Sequence, residues 1–87
     1  MNEDYINKVK QLLLNWNPLG DKSKQIADLD NYNTEAIDIL WHIDKKSSID
    51  RINKITAQVL SEAFGIYIDL NVSRKYAEKI QSIINDK

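Results

Sequence analysis

The chain has no cysteine, one proline, two glycines and one histidine among 87 residues. Without cysteine there is no disulfide, no thiolate metal ligand and no thiol nucleophile, and a secreted domain this small would usually need staples of that kind. A reducing, cytoplasmic setting is therefore expected. Long apolar runs are also missing: the longest is three residues, and the first residues, Met1-Asn2-Glu3-Asp4, are acidic where a signal peptide would be basic. Neither an export signal nor a membrane span is expected. Charge of one sign is scarce as well, with 13 acids against 12 bases. A net charge of -1 creates no general field for phosphates, and only Arg51 and Arg74 among the bases suit bidentate phosphate or guanine contacts. Nucleic acid is not an expected partner.

What is present is helical periodicity. Tyr5, Ile6, Val9, Leu12, Leu13 and Trp16 recur with a 3.6-residue period, preceded by Asn2 as N-cap and by Glu3 and Asp4 at the positive end of the helix dipole, which predicts a first helix over residues 3 to 15. Pro18 and Gly20 end it. Residues 17 to 30 read as a long loop, with one possible helical turn at Ser23 to Ala27, and with Leu19, Ile26 and Leu29 as apolar anchors. Leu14 falls off the main stripe of the first helix.

The second helix is expected over 31 to 45, capped by Asp30 or Asn31, with Tyr32, Ala36, Ile39, Leu40 and Ile43 on one stripe and Lys45 and Lys46 at its C-terminal end. Ile37 and Trp41 lie beside that stripe, making the helix apolar over more than half its circumference. For the third helix, Ser47-Ser48-Ile49-Asp50 resembles a capping box with Ser47 as cap. Ile52, Ile55, Val59, Leu60, Ala63 and Phe64 then form a stripe, and Gly65 supplies a left-handed stop. Ile66 to Leu70 alternates like a strand but has no second strand to pair with, so an extended connector packed on the core is expected. Asn71 or Ser73 caps the fourth helix, with Val72, Tyr76, Ala77, Ile80, Ile83 and Ile84 on one face. The sum is a single all-α domain over 1–87, a small four-helix up-and-down bundle or an irregular relative, with a long loop between helices 1 and 2.

No constellation favours catalysis. Asp21, Asp28, Asp30, Asn31 and Asn33 invite a calcium-loop reading, but Tyr32 takes the fifth loop position, Asn33 replaces the turn glycine, and Ile39 stands where the bidentate Glu belongs. His42, one turn after Asp38, lacks the further His or Cys that zinc sites use. No Gly-rich phosphate turn and no Ser-His pair is evident. Arg74 and Lys75 near the start of the fourth helix read as a solvated face, because the connector before them is too long for a helix-turn-helix motif. No enzyme activity, cofactor or metal is expected.

The most specific local signal is Trp16-Asn17-Pro18-Leu19: Trp16 closes the apolar stripe, Asn17 can satisfy freed backbone groups, Pro18 fixes the chain's exit and Leu19 returns an anchor to the core. With Tyr32-x-x-Glu35 and Ala77-x-x-Ile80, this pattern resembles the small bacterial proteins of domain-of-unknown-function family 1871. The resemblance implies a compact all-helical fold and a cytoplasmic bacterial protein, and it supplies no activity and no catalytic residues. Asn17 stands where that family more often has Asp, so the resemblance gives no role to a carboxylate there.

Two functional readings follow. The first is a protein–protein interaction module that contacts an unknown partner or a second copy through Leu14, Leu19, Ile37 and Trp41, or through the 17 to 30 loop. An immunity protein neutralising a co-encoded toxin would be one version. The alternative is a small-molecule or metal-binding sensor or enzyme whose ligand face is Tyr32, Glu35, Asp38 and His42, residues that an ideal helix brings near one another.

Overall fold

The computed structural model describes residues 3–20 and 32–85. Four helices make up the described architecture: α1 (Glu3–Trp16), α2 (Asn33–Trp41), α3 (Ile49–Phe64) and α4 (Leu70–Ile84). Each packs on its neighbours in sequence, and α1 closes on α4, so the helices enclose one core. At its centre lie Val9 and Leu13 of α1, Ala36 and Ile39 of α2, Ile52 and Leu60 of α3, and Ala77 and Ile80 of α4. These are the positions that a 3.6-residue period selects in each segment. No described helix is long and apolar enough to cross a membrane.

The helix ends show where local chemistry departs from the expected boundaries. Helix α2 stops at Trp41, four residues short of the predicted end, and His42 is its C-cap. Ile43 is half-buried in the following connector, so its apolar character serves packing without extending the helix, and Lys45 and Lys46 sit in an exposed turn. Asp44 holds this turn together: its backbone N–H donates to Ser47 Oγ, and its carboxylate accepts from the Lys46 N–H at 2.8 Å. Ser47 is thereby buried in the connector. The cap of α3 is Ser48, one residue later than expected, whose hydroxyl accepts from the Arg51 N–H at 3.1 Å. Likewise α4 is capped by Asp69, which accepts from Asn71 N–H, and not by Asn71 or Ser73. The expected caps Asn2, Asp30 and Asn31, and the turn at Ser23 to Ala27, lie outside the described residues, as do Ile26 and Leu29.

Gly65 ends α3 at φ 63°, its N–H bonded to the Ser61 carbonyl, the left-handed stop that a residue without Cβ makes at least cost. The chain from Ile66 to Asp69 is extended, as alternation predicts, with Ile68 buried and Tyr67 facing out. It does not form a tight hairpin. Asn53, in the first third of α3, donates from its side-chain amide to the Leu70 carbonyl at 2.9 Å and accepts from the Ser73 hydroxyl, while Arg74 pairs with Asp50. The connector thus doubles back along α3 and sets the starts of α3 and α4 side by side. That crossover makes this bundle an irregular relative of the up-and-down form. Asn53 and Ser73 are both buried, and buried polar groups are kept without penalty only when each finds a partner. They find each other.

Candidate functional site

The Trp-Asn-Pro-Leu segment forms a corner that the start of α2 completes. Asn17 adopts φ 52°, and its N–H bonds back to the Leu13 carbonyl at 2.8 Å. It occupies the place in α1 that Gly65 occupies in α3, and Asn is the next best residue for a left-handed stop. Its carbonyl accepts from the Gly20 N–H at 2.9 Å, which tightens the corner and turns Leu19 into the core, where it is 6% exposed. Tyr32 approaches from the other side, also with a positive φ of 66°. Its hydroxyl donates to Asn17 Oδ1 at 3.2 Å, and its ring meets Phe64 edge-on with centroids 5.9 Å apart. Two left-handed residues, each unusual for a side chain with a Cβ, are joined by one hydrogen bond.

The electrostatics of the corner follow from burial. Desolvation raises the Tyr32 phenol above its ordinary value, a hydrogen bond from the Leu19 backbone partly opposes this, and the negative charge of Glu35 raises it further. Glu35 is itself buried in the first turn of α2, where a carboxylate also favours the positive end of the helix dipole. Tyr32 and Glu35 therefore order the junction of α1 and α2.

Trp16 is half-buried. Its indole stacks on the Tyr76 ring of α4, with centroids 4.3 Å apart and planes 7° from parallel, while Lys75 and Lys79 place their ammonium groups 4.9 and 5.9 Å from the Tyr76 centroid. The stack ties the C-terminal end of α1 to α4. At the other end of this pair the Tyr5 hydroxyl donates to the Ile84 carbonyl at 3.5 Å. Helices α1 and α4 are thus antiparallel.

The four residues of the expected ligand face divide into two environments. Tyr32 and Glu35 point inward, whereas Asp38 and His42 are exposed, so they do not line one site. His42 Nδ1 lies 2.8 Å from the backbone carbonyl of Asp38, not from its carboxylate, because α2 ends there and leaves that carbonyl open to a side-chain partner. Among the described residues no group of three or more His, Asp or Glu side chains is arranged to hold a metal. Asp21, Asp28, Asp30 and Asn31 lie outside the described residues, and Asn33 is the first residue of α2.

The expected contact residues also separate. Leu19 is a core residue and leaves the set; Leu14 and Ile37 are half-buried, Leu14 against the core. Trp41 is 74% exposed. It shares its helix face with Ile37 and Asp38; Asp38 and His42 form, with Val59, Glu62 and Ala63 of α3, a separate cleft of about 330 Å³. Tyr67, Leu70 and Val72 are exposed as well, although the 66–70 connector was expected to pack on the core and Val72 to lie on the apolar face of the fourth helix. Strict alternation about the buried Ile68 was the available signal for Tyr67, since only one parity of an extended segment can face inward. No family model, curated protein or solved structure matches this chain.

Proposed function

We propose that this domain is a non-enzymatic protein–protein interaction module that engages a partner protein, or a second copy of itself, through the end of α2. Trp41 carries the reading. An indole 74% exposed at a helix end contributes little to its own fold, whereas sequestering a large apolar side chain from water is worth about 1.5 to 3 kcal/mol, and Trp is enriched where interfaces concentrate their energy. Ile37, one turn earlier on the same helix face, is half-buried and adds apolar surface next to Trp41.

The same proposal includes a cytoplasmic setting and the likeness to family 1871. The Trp16 to Leu19 and Tyr32-x-x-Glu35 motifs that carry the likeness build the α1–α2 corner, which supports a structural role for them and leaves the contact role to Trp41. A sensor or enzyme reading has less support, because Tyr32 and Glu35 face inward while Asp38 and His42 face out.

The test is affinity purification of the tagged protein from its host beside a Trp41→Ala variant, with sedimentation of both across a concentration series. Loss of a captured protein or of self-association in the variant, at unchanged thermal stability, is the expected result. A monomer at every concentration, with the same captured proteins for both forms, would refute it.

A further inference from the structure

The connector between α3 and α4 leaves a short row of backbone groups without partners. Gly65 commits its N–H to the Ser61 carbonyl, and the Asp69 carbonyl accepts from the N–H groups of Val72 and Ser73 at the start of α4. Between those two fixed points, the N–H and C=O groups of Ile66, Tyr67 and Ile68 take part in no hydrogen bond among the described residues. Buried backbone groups are almost always paired, so an unpaired run in a surface segment faces water. Tyr67 is 86% exposed, and with Leu70 and Val72 it makes three of the four large apolar side chains that stand exposed among the described residues. An extended segment with free donors and acceptors is a template for a second extended chain, and folded proteins usually blunt such an edge with Lys, Pro or a bulge. Neither Lys nor Pro stands here; the one charge is Asp69, whose carboxylate accepts from the Asn71 N–H at 2.8 Å.

We propose that a second copy of this chain pairs with this segment, connector against connector, as an antiparallel two-stranded ribbon about a two-fold axis. The free groups choose the edge and the register. In an extended chain the N–H and C=O of one residue point to one edge and those of the next residue to the other. Ile66 and Ile68 therefore share an edge on which both residues keep both groups. On the opposite edge only Tyr67 does, because the Gly65 N–H and the Asp69 carbonyl are committed and Gly65 turns out of line at φ 63°. Antiparallel pairing, in which each hydrogen-bonded residue exchanges both bonds, then sets Ile66 opposite Ile68 of the second copy and Ile68 opposite its Ile66. Tyr67 falls opposite itself in the closer, non-hydrogen-bonded position, where the two aromatic side chains meet on the outer face. The same row serves both copies, as a closed two-fold contact requires. An isolated pair of strands is marginal in water, but here each strand is backed by its own domain through the buried Ile68 and the half-buried Ile66. This contact goes beyond the Trp41 reading and uses a different surface.

The test is sedimentation of the full chain and its variants across a concentration series, with amide hydrogen exchange followed by NMR at the two ends of that series. A monomer–dimer equilibrium is expected, with slower exchange in the dimer at Ile66 and Ile68 and no change at Tyr67. Tyr67→Lys, at an exposed position, should weaken the dimer about tenfold by setting like charges opposite each other. Mixing Tyr67→Lys with Tyr67→Glu should restore the dimer that neither forms alone, because each then faces the opposite charge. Trp41→Ala should leave this dimer unchanged, and circular dichroism checks that every variant folds. A chain that stays monomeric throughout overturns the inference, as does slowed exchange at Tyr67 in place of its neighbours, or a charge-swapped mixture that associates no better than its components. A dimer lost in Trp41→Ala but kept in Tyr67→Lys overturns this pairing and leaves the Trp41 reading standing. A dimer lost in Tyr67→Lys and restored in the mixture supports the pairing, and if Trp41→Ala then changes neither association nor captured proteins, it is the Trp41 reading that falls.

Discussion

Replacing Asn17 by Ala and by Gly separates the two tasks that this residue performs. Both substitutions remove the acceptor for the Tyr32 hydroxyl. An intramolecular hydrogen bond contributes about 0.5 to 1.5 kcal/mol net, and because Asn17 is exposed, water can replace it and the cost falls in the lower half of that range. Only Ala must also adopt φ 52° with a Cβ and no compensating side-chain hydrogen bond, which adds about 1 to 2 kcal/mol. Asn17→Ala should therefore cost about 2 kcal/mol, and Asn17→Gly less than about 1 kcal/mol, since Gly takes the left-handed conformation without strain. For a domain this size, a difference of about 1 kcal/mol moves Tm by about 4 to 8 °C. Urea denaturation followed by tryptophan fluorescence reads it as a shift in midpoint at constant slope. Combining Asn17→Ala with Tyr32→Phe isolates the hydrogen bond as a coupling of about 0.5 to 1 kcal/mol. Equal losses for Ala and Gly, together with zero coupling, would show that neither the left-handed turn nor the hydrogen bond holds the corner.

Four further outcomes follow from the packing. Because folding raises the Tyr32 phenol above its unfolded value of 10.0, the stabilisation is complete below that pH and is lost as pH rises from there through the folded value; the difference between wild type and Tyr32→Phe in urea midpoint should shrink or invert over that alkaline window and stay flat below it. Trp16→Ala should cost about 2 to 3 kcal/mol by thermal melting, less than a fully buried indole would, because Trp16 is half-buried against Tyr76. Asn53→Ala should cost about 0.5 to 1.5 kcal/mol in chemical denaturation, since it removes the bonds of Asn53 to the Leu70 carbonyl and the buried Ser73 hydroxyl and leaves that hydroxyl only its longer bond, 3.4 Å, to the Leu70 carbonyl. Gly65→Ala should cost about 1 kcal/mol in the same assay through its positive φ alone, as a Cβ there meets no atom within 4 Å.

The four helices were legible because each carries a long stripe at helical spacing, and tertiary packing rewards that stripe wherever it occurs. Boundaries were less legible where several capping residues compete. Ser47 and Ser48 both satisfy the preference for an N-cap, and only the Asp44 turn, which recruits Ser47, decides between them. For α2, Ile43 continued the apolar period after the helix had ended, since half-buried connectors satisfy the same pattern. The ligand face failed for a related reason: an ideal helix brings Glu35, Asp38 and His42 together, but the neighbouring helices, which a single segment does not reveal, bury the first and expose the others. Trp41 was legible as surplus, a large apolar residue beside a complete stripe. The contact of α1 with α4 was not, because Tyr5 and Ile84 are 79 positions apart and their meeting depends on how the chain closes.

That closure has a consequence for how the chain could be rearranged. Tyr5 and Ile84 meet although 79 positions separate them, so the outer ends of α1 and α4 lie within reach of a short peptide. The order of helices around the core is in effect cyclic, and the point at which the polypeptide is opened is secondary to the packing. A permuted chain that joins those ends and is cut in the exposed turn at Lys45 and Lys46 should keep the four helices in the same order around the core, at the cost of the Asp44 turn. By the same geometry the domain can be inserted as a guest into a surface loop of a host protein, entering and leaving at one place, with the Trp41 face still open to other molecules.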